Sequence, residues 1–265
     1  MSEQTAPLRI VRLDGDVAEV VLDQPQLLNR FDTALHHAFT EAIAALGRDL
    51  SVRAIALTST GSAFSAGGDF DAMRLAHGDP AIQRRTVADA RHLLEALLGV
   101  PQPIVAAIQG PAIGLGATVA LSCDSVVAAR GARIADPHVS VGLVAGDGGA
   151  IVWEAAVGIL RAKRYLLSGD PLDAETGYAI GLVTDLVDQP DEAAPAAREL
   201  ATRIAALPPL AVQGTKQVLN RGLRRRVGEL LELGLALEQQ TMASADHLEA
   251  VNTFGERRTP TFTGN

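Results

Sequence analysis

The chain has 265 residues, 48% hydrophobic and 20% charged, enough for one large domain or two modest ones with a sizeable core. Its 23 basic and 31 acidic side chains leave a net charge of −8, which excludes the basic stripe of a general nucleic-acid binder. The hydrophobic fraction excludes a disordered chain, and a single cysteine, Cys123, excludes an intramolecular disulfide framework and a cysteine zinc cluster and fits a reducing compartment.

With 25 glycines, 13 prolines and 3% aromatics, the core is expected to be aliphatic and the loops numerous. Met1–Ile10 shows no basic start followed by an apolar stretch, so no secretory signal is expected. Ala96–Cys123 carries no charge and is long enough to span a bilayer. Pro101, Pro103, Gly110-Pro111, Gln102 and Gln109 break that run, so it reads as a buried strand–loop–helix unit. A soluble, cytoplasmic protein with no nucleic-acid or membrane partner is the expectation.

Two short alternating runs, Leu8–Leu13 and Val17–Leu22, flank Asp14-Gly15-Asp16 and predict a hairpin. Leu35, Phe39, Ile43 and Leu46 recur at helical spacing over Thr33–Leu46, with Gly47 as the stop. A strand follows at Ala54–Thr58, then the Gly- and Ser-rich loop Ser59–Asp69. A long helix is predicted at Ala81–Leu98 and a buried strand at Ile104–Ile108. The Gly-rich loop Gln109–Gly116, a helix through Ser122 and a strand at Ser125–Ala129 complete the alternation. Strand–helix–strand order implies parallel pairing with helices on the sheet faces. Beyond residue 190 the pattern turns helical: Asp191–Ala206, Pro209–Asn220, Leu223–Ser244 and Ala245–Phe254, with Pro208-Pro209 as breaker. An α/β core over 1–190 and a helical region over 191–265 are therefore expected. Helix propensity alone accounts for the alanines of Glu192–Ala206.

Two loops carry chemical potential. Phe64–Phe70 holds consecutive glycines, which expose backbone N–H groups and admit a ligand close to the chain. Gly110–Gly116 follows a strand and opens a helix, whose first turn offers unpaired donors and a positive dipole end. Two such loops after neighbouring strands either aim two donors at one oxygen, as an oxyanion hole, or are simply tight turns. Gly114–Ala120 also fits the dinucleotide fingerprint, but it stands several residues past its strand, and the next strand ends in Arg130 rather than an acid.

Seven segments occur in a familiar order. They are Phe64-Ser-Ala-Gly-Gly-Asp69, Pro103-Ile-Val-Ala-Ala-Ile-Gln-Gly110, and Gly114-Leu-Gly116 leading to Leu121-Ser-Cys-Asp124. Gly146-Asp-Gly-Gly149, Leu166-Leu-Ser-Gly-Asp170, Gly181-Leu-Val183 and Phe254-Gly-Glu-Arg-Arg-Thr-Pro260 follow. Together the chain resembles the enoyl-CoA hydratase/isomerase (crotonase) superfamily over nearly its whole length. The resemblance implies an α/β fold of stacked ββα repeats with a C-terminal helical trimerisation region, as a homotrimer or dimer of trimers. It implies acyl-CoA substrates, coenzyme A entering as part of the substrate, with no other cofactor and no metal. By position the two oxyanion amides would be those of Gly68 and Leu115, flanked by Ala66, Gly67, Asp69, Ile113 and Gly114 as substrate-binding residues. Leu115 departs from the glycine usual at that place.

The acids depart further. Hydratases of this superfamily use two glutamates, and the matching positions here are Thr118 and His138. Two-glutamate water addition does not carry over. His138 and, nine residues on, Asp147 stand there instead. Either they exchange protons as a pair, near neutral pH, or His138 is a turn residue after Pro137 and Asp147 a helix cap. The spacing also resembles the β-diketone hydrolases of the superfamily (the 6-oxocamphor hydrolase subgroup), which work without CoA by a retro-Claisen step. Glu238 lies where that subgroup places a further acid, or is one more solvated helix carboxylate.

The expected activity is acyl-CoA chemistry of the lyase/isomerase kind, with enolate stabilisation at Gly68 and Leu115 and His138–Asp147 acid–base work. The alternatives are CoA-independent β-diketone hydrolysis and non-catalytic acyl-CoA binding. His36 and His37, adjacent on a helix and about 100° apart, read as surface residues, and so do the clusters Arg84-Arg85 and Arg224–Arg226.

Overall fold

The computed structural model describes residues 6–256 and 258–265. Met1–Thr5, part of the stretch read for a signal, and Arg257 of the C-terminal motif lie outside them.

β1 (Leu8–Leu13) and β2 (Val17–Leu22) form the expected antiparallel hairpin, Leu8 opposite Leu22. Beyond β2 the sheet is parallel: β3 (Ala54–Ser59), β4 (Ile104–Ile108), β6 (Ser125–Ala129) and β9 (Asp185–Val187), in the order β1-β2-β3-β4-β6-β9. A small second sheet joins β5 (Ala112–Ile113), β7 (Arg133–Ala135) and β8 (Leu172–Asp173). Thus β4 runs on into β5 and β6 into β7, one strand in each sheet, which is the stacked ββα pattern.

Helices cover both faces of the large sheet. α1 (Thr33–Arg48), whose first turn is capped by the Asp32 carboxylate, and α3 (Pro80–Gly99) bury Leu35, Phe39, Ile43, Leu93 and Leu97 against Ile55, Leu57 and Ile104. On the other face, α8 (Ala193–Ala205) lays Ala193, Ala197, Ala201 and Ala205 against Val17, Ala54, Val105 and Val127. These alanines are buried at helical spacing, so helix propensity alone does not explain them. A methyl-only stripe lets the helix approach the sheet closely, and the first helix after residue 190 is thereby part of the α/β core.

The predicted helices Pro209–Asn220 and Leu223–Ser244 are one element, α9 (Pro209–Met242). Gly222 sits in open space and costs only about 1 kcal/mol relative to alanine, too little to end a helix without a following proline. Lys216 ties α9 to the core, its ammonium 2.7 Å from Asp124 Oδ2 and 2.8 Å from the Gln102 carbonyl. α10 (Ala245–Glu256) follows.

The uncharged run Ala96–Cys123 resolves into the end of α3, then β4, β5 and α4 (Leu115–Leu121). Among the described residues no helix is long and apolar enough to cross a membrane. The remaining helices are α2 (Phe70–His77), α5 (Gly149–Val157), α6 (Ile159–Leu166) and α7 (Ala174–Ile180). Because β3, β4 and β6 are parallel neighbours, the segments leaving their C-terminal ends emerge on one side. There the candidate site is built.

Candidate active site

The two glycine-rich loops are fastened to each other. Ser65 and Ala112 form an isolated parallel bridge: the Ser65 amide donates to the Pro111 carbonyl at 3.1 Å, and the Ile113 amide to the Ser65 carbonyl at 3.0 Å. Gly67 (φ +87°) bends the first chain against the second, where a side chain would lie 2.6 Å from the Ile113 carbonyl oxygen. Three residues beyond the bridge partners come Gly68 and Leu115. Leu115 opens α4, where an amide has no partner inside the helix. Among the described residues neither amide donates to a protein acceptor outside its own element. The Leu115 side chain packs toward the core and borders the cavity.

One cavity of about 450 Å³ is lined by every residue the sequence singles out: Ala66, Gly67, Gly68, Asp69, Ile113, Gly114, Leu115, His138, Asp147 and Glu238. Asp69 also caps α2, accepting from the Asp71 amide at 2.9 Å, and lies 3.3 Å from Arg30. His138 starts a short 3-10 turn after Pro137, beside Gly114, where an added methyl would lie 3.7 Å from His138 Cε1.

His138 stands between two carboxylates. Its Nε2 is 3.5 Å from Asp147 Oδ2, and its Nδ1 is hydrogen-bonded to Asp136 Oδ1. Asp147 Oδ1 accepts from the Gly149 amide at the start of α5 at 3.1 Å and from the Thr118 hydroxyl at a longer 3.4 Å, while Oδ2 faces the imidazole. Thr118, where the resemblance places a hydratase glutamate, thus points its hydroxyl at Asp147. Glu238 arrives from α9, buried rather than solvated, with its Oε2 unpartnered.

Protonation follows from this crowding. Burial opposes charge on His138, but Asp136 and Asp147 outweigh it and raise its pKa well above the usual imidazole range. The expectation of a histidine balanced near neutrality is therefore corrected: a second carboxylate, Asp136, tips His138 to imidazolium. Burial raises Asp147 as well, partly offset by His138. Burial and the Asp147 charge push Glu238 up to about 8, so it is neutral at pH 7.

Sequence reading missed three site residues. Asp136, two positions before His138, looked like part of the turn. His36 is buried and lines the cavity, not the surface; burial lowers its pKa to about 4, and only His37 reaches out, 3.0 Å from Asp89. His247 is fully buried on α10, 2.7 Å from the Val141 carbonyl, its pKa lowered by burial. Helical periodicity marks the buried face holding His36, since Phe39 and Ile43 share it. Among the described residues no group of three His, Cys, Asp or Glu side chains is disposed to hold a metal ion.

Two unpaired amides thus share one cavity with His138 and the carboxyl groups of Asp147 and Glu238, and the chain as a whole has known relatives. Residues 12–265 match the family model described as enoyl-CoA hydratase/isomerase. The 2,3-dehydroadipyl-CoA hydratase of Escherichia coli is 33% identical over 260 residues, covering 96% of this chain and 98% of that protein. The 1,2-epoxyphenylacetyl-CoA isomerase of Escherichia coli is 30% identical over 254 residues, covering 95% and 97%. The crystal structure of an enoyl-CoA hydratase/isomerase from Mycobacterium paratuberculosis superposes with a TM-score of 0.88 at 35% identity, covering 95% of this chain and 99% of that one. The chain belongs to the enoyl-CoA hydratase/isomerase family.

Proposed function

We propose that this enzyme acts on an acyl-CoA thioester and moves a proton through its enolate, with CoA carried by the substrate and no further cofactor. The observation that carries the reading is the meeting, in one cavity, of the unpaired Gly68 and Leu115 amides with the His138–Asp147 pair. The enolate oxygen rests between the amides, whose loss would typically cost about 3 kcal/mol of transition-state stabilisation. His138, protonated and held on both nitrogens, has no lone pair to offer. Asp147, its pKa raised by burial and so made more basic, is the base of the pair, and the imidazolium steadies its charge. Proton removal beside the thioester and its return elsewhere on the chain need one such shuttle and no glutamate-held water.

Exchange of the α-hydrogens of an acyl-CoA into deuterated water, followed by proton NMR, tests the reading. His138→Ala and Asp147→Asn are each expected to slow exchange by at least ~100-fold, the scale of general acid–base catalysis. Wild-type rates in both variants overturn it.

The approach of Glu238 to the pair favours CoA-independent β-diketone hydrolysis as the second reading. Thermal shifts with CoA, acetoacetyl-CoA and a cyclic 1,3-diketone separate the readings. Stabilisation by acetoacetyl-CoA supports the first, stabilisation by the diketone alone the second, and thioester binding without exchange a non-catalytic binding protein. We further propose assembly as a homotrimer or dimer of trimers, supported by the exposed Leu210, Val218, Leu219 and Leu233 of α9. A monomeric mass by light scattering at micromolar concentration counts against it.

A further inference from the structure

The cavity wall is charged in one sense. The carboxylates of Asp32, Asp69, Asp89 and Asp147 line it, with Glu238 uncharged among them at pH 7. Opposing cations are few and engaged. Among the described residues lining the cavity, the cationic side chains are His138 and Arg258. His138 is enclosed by Asp136 and Asp147. Arg258 is bound to Glu249 at 2.9 Å and to Glu256 at 2.6 Å. The other two histidines on the wall, His36 and His247, are uncharged at neutral pH because burial lowers both. Between the polar groups the lining is aliphatic or aromatic: Phe31, Ala72, Met73, Ala76 and Ala90. Three polar atoms of lining residues, Glu238 Oε2, His36 Nδ1 and His247 Nε2, are buried without a partner.

From this wall, and resting on the acyl-CoA reading above, we infer that the site takes acyl groups bearing no negative charge and rejects those that end in a carboxylate. A carboxylate drawn into the cavity leaves water and meets the carboxylates of Asp32 and Asp89, while the cations at and beside the wall already face carboxylates: His138 faces Asp136 and Asp147, Arg258 faces Glu249 and Glu256, and Arg30 faces Asp69. Burying an unpaired charge beside charges of its own sign is disfavoured several times over. An alkyl or neutral polar chain meets none of these costs and covers the apolar lining. Discrimination by repulsion leaves affinity for the accepted substrate intact, because it acts on the competitor alone.

Paired ligands test this with the CoA half held constant. Hexanoyl-CoA and adipoyl-CoA have the same acyl carbon count, differ in the terminal carboxylate, and lack the double bond an isomerase would shift. Calorimetric titration of the intact protein at pH 7 and moderate salt is expected to show adipoyl-CoA binding at least ~10-fold more weakly. Asp89→Asn, which removes one charge and keeps the side-chain shape, is expected to narrow that ratio. Equal affinities, or tighter binding of adipoyl-CoA, overturn the inference. Binding of neither thioester, with native circular dichroism, overturns the acyl-CoA reading itself and this inference with it.

Discussion

Gly146 and Gly234 meet backbone to backbone where α9 crosses the segment before α5. A methyl group on Gly234 would lie 3.0 Å from the Gly146 carbonyl oxygen. One on Gly146 would overlap the Gly234 carbonyl and reach within 2.9 Å of Glu238 Oε2. Asp147 follows Gly146 directly, and Glu238 stands one helical turn beyond Gly234. The backbones that carry the two carboxyl groups therefore touch next to them.

Gly234→Ala brings two effects into competition. Alanine gains about 1 kcal/mol of helix propensity, whereas forcing a methyl into a closed contact typically costs about 1–3 kcal/mol. The cost is expected to win: a lower Tm, with α-hydrogen exchange slowed ~10-fold or more as Glu238 is displaced. Gly228, also on α9 but with nothing near its added methyl, provides the control. Gly228→Ala is expected to gain about 1 kcal/mol. A Gly234→Ala protein as stable and active as the wild type shows that the crossing is slack.

What the sequence disclosed, and what it concealed, divides along the same line. The hairpin, the β3, β4 and β6 strands and the two loops were legible because periodicity and glycine clusters are local signals. Gly68, Leu115, His138, Asp147 and Glu238 all line one cavity. Asp136, His36 and His247 were not legible as site residues. Their environment is made by chain segments distant in sequence, and a buried polar residue looks locally like a turn or a helix surface. The alanines of α8 were misread for the same reason: propensity and packing favour the same residue there.

Glu238 ties stability to pH. Its folded pKa of about 8 stands above the 4.5 of an exposed glutamate, so between these values the folded state binds more protons than the unfolded. Stability therefore falls as pH rises through that window. His138, raised from 6.5, contributes stability in full below that pH and loses it as pH climbs through its folded value, in the same direction. His36 and His247, lowered by burial, act in the opposite sense below 6.5, so the decline is expected above it, in denaturant melts of the wild type at pH 7, 7.5 and 8. In Glu238→Gln, which removes one titration, the slope is expected to be shallower. An unchanged slope places Glu238 in contact with solvent.

Asp136 is expected to act through His138. Asp136→Asn removes the carboxylate from Nδ1 and one of the two charges that hold the ring protonated, while keeping the side-chain shape. The imidazole pKa, read from its ring proton shifts by NMR, is expected to drop toward the usual range. The alkaline limb of the exchange rate should move down in pH with it. A lower Tm with an unmoved pH profile assigns Asp136 a purely structural part.

The Leu115 amide allows a test that leaves side-chain chemistry aside. As the first residue of α4, Leu115 has an N–H that no helical carbonyl accepts, and proline is well tolerated at that position because it gives up only this bond. The preceding Gly114, at φ 53° and ψ −122°, has no Cβ to clash with a proline ring. Leu115→Pro therefore deletes the proposed oxyanion donor while the helix start survives. Exchange of acyl-CoA α-hydrogens is expected to slow by about 10²–10³-fold, the usual loss for one such donor. Because Pro also shortens the side chain, Leu115→Ala is the partner variant; it keeps the amide and is expected to stay within about 10-fold of the wild type. Should Leu115→Pro and Leu115→Ala lose activity equally, the side chain and not the N–H is what the substrate meets, and the oxyanion assignment at this position fails.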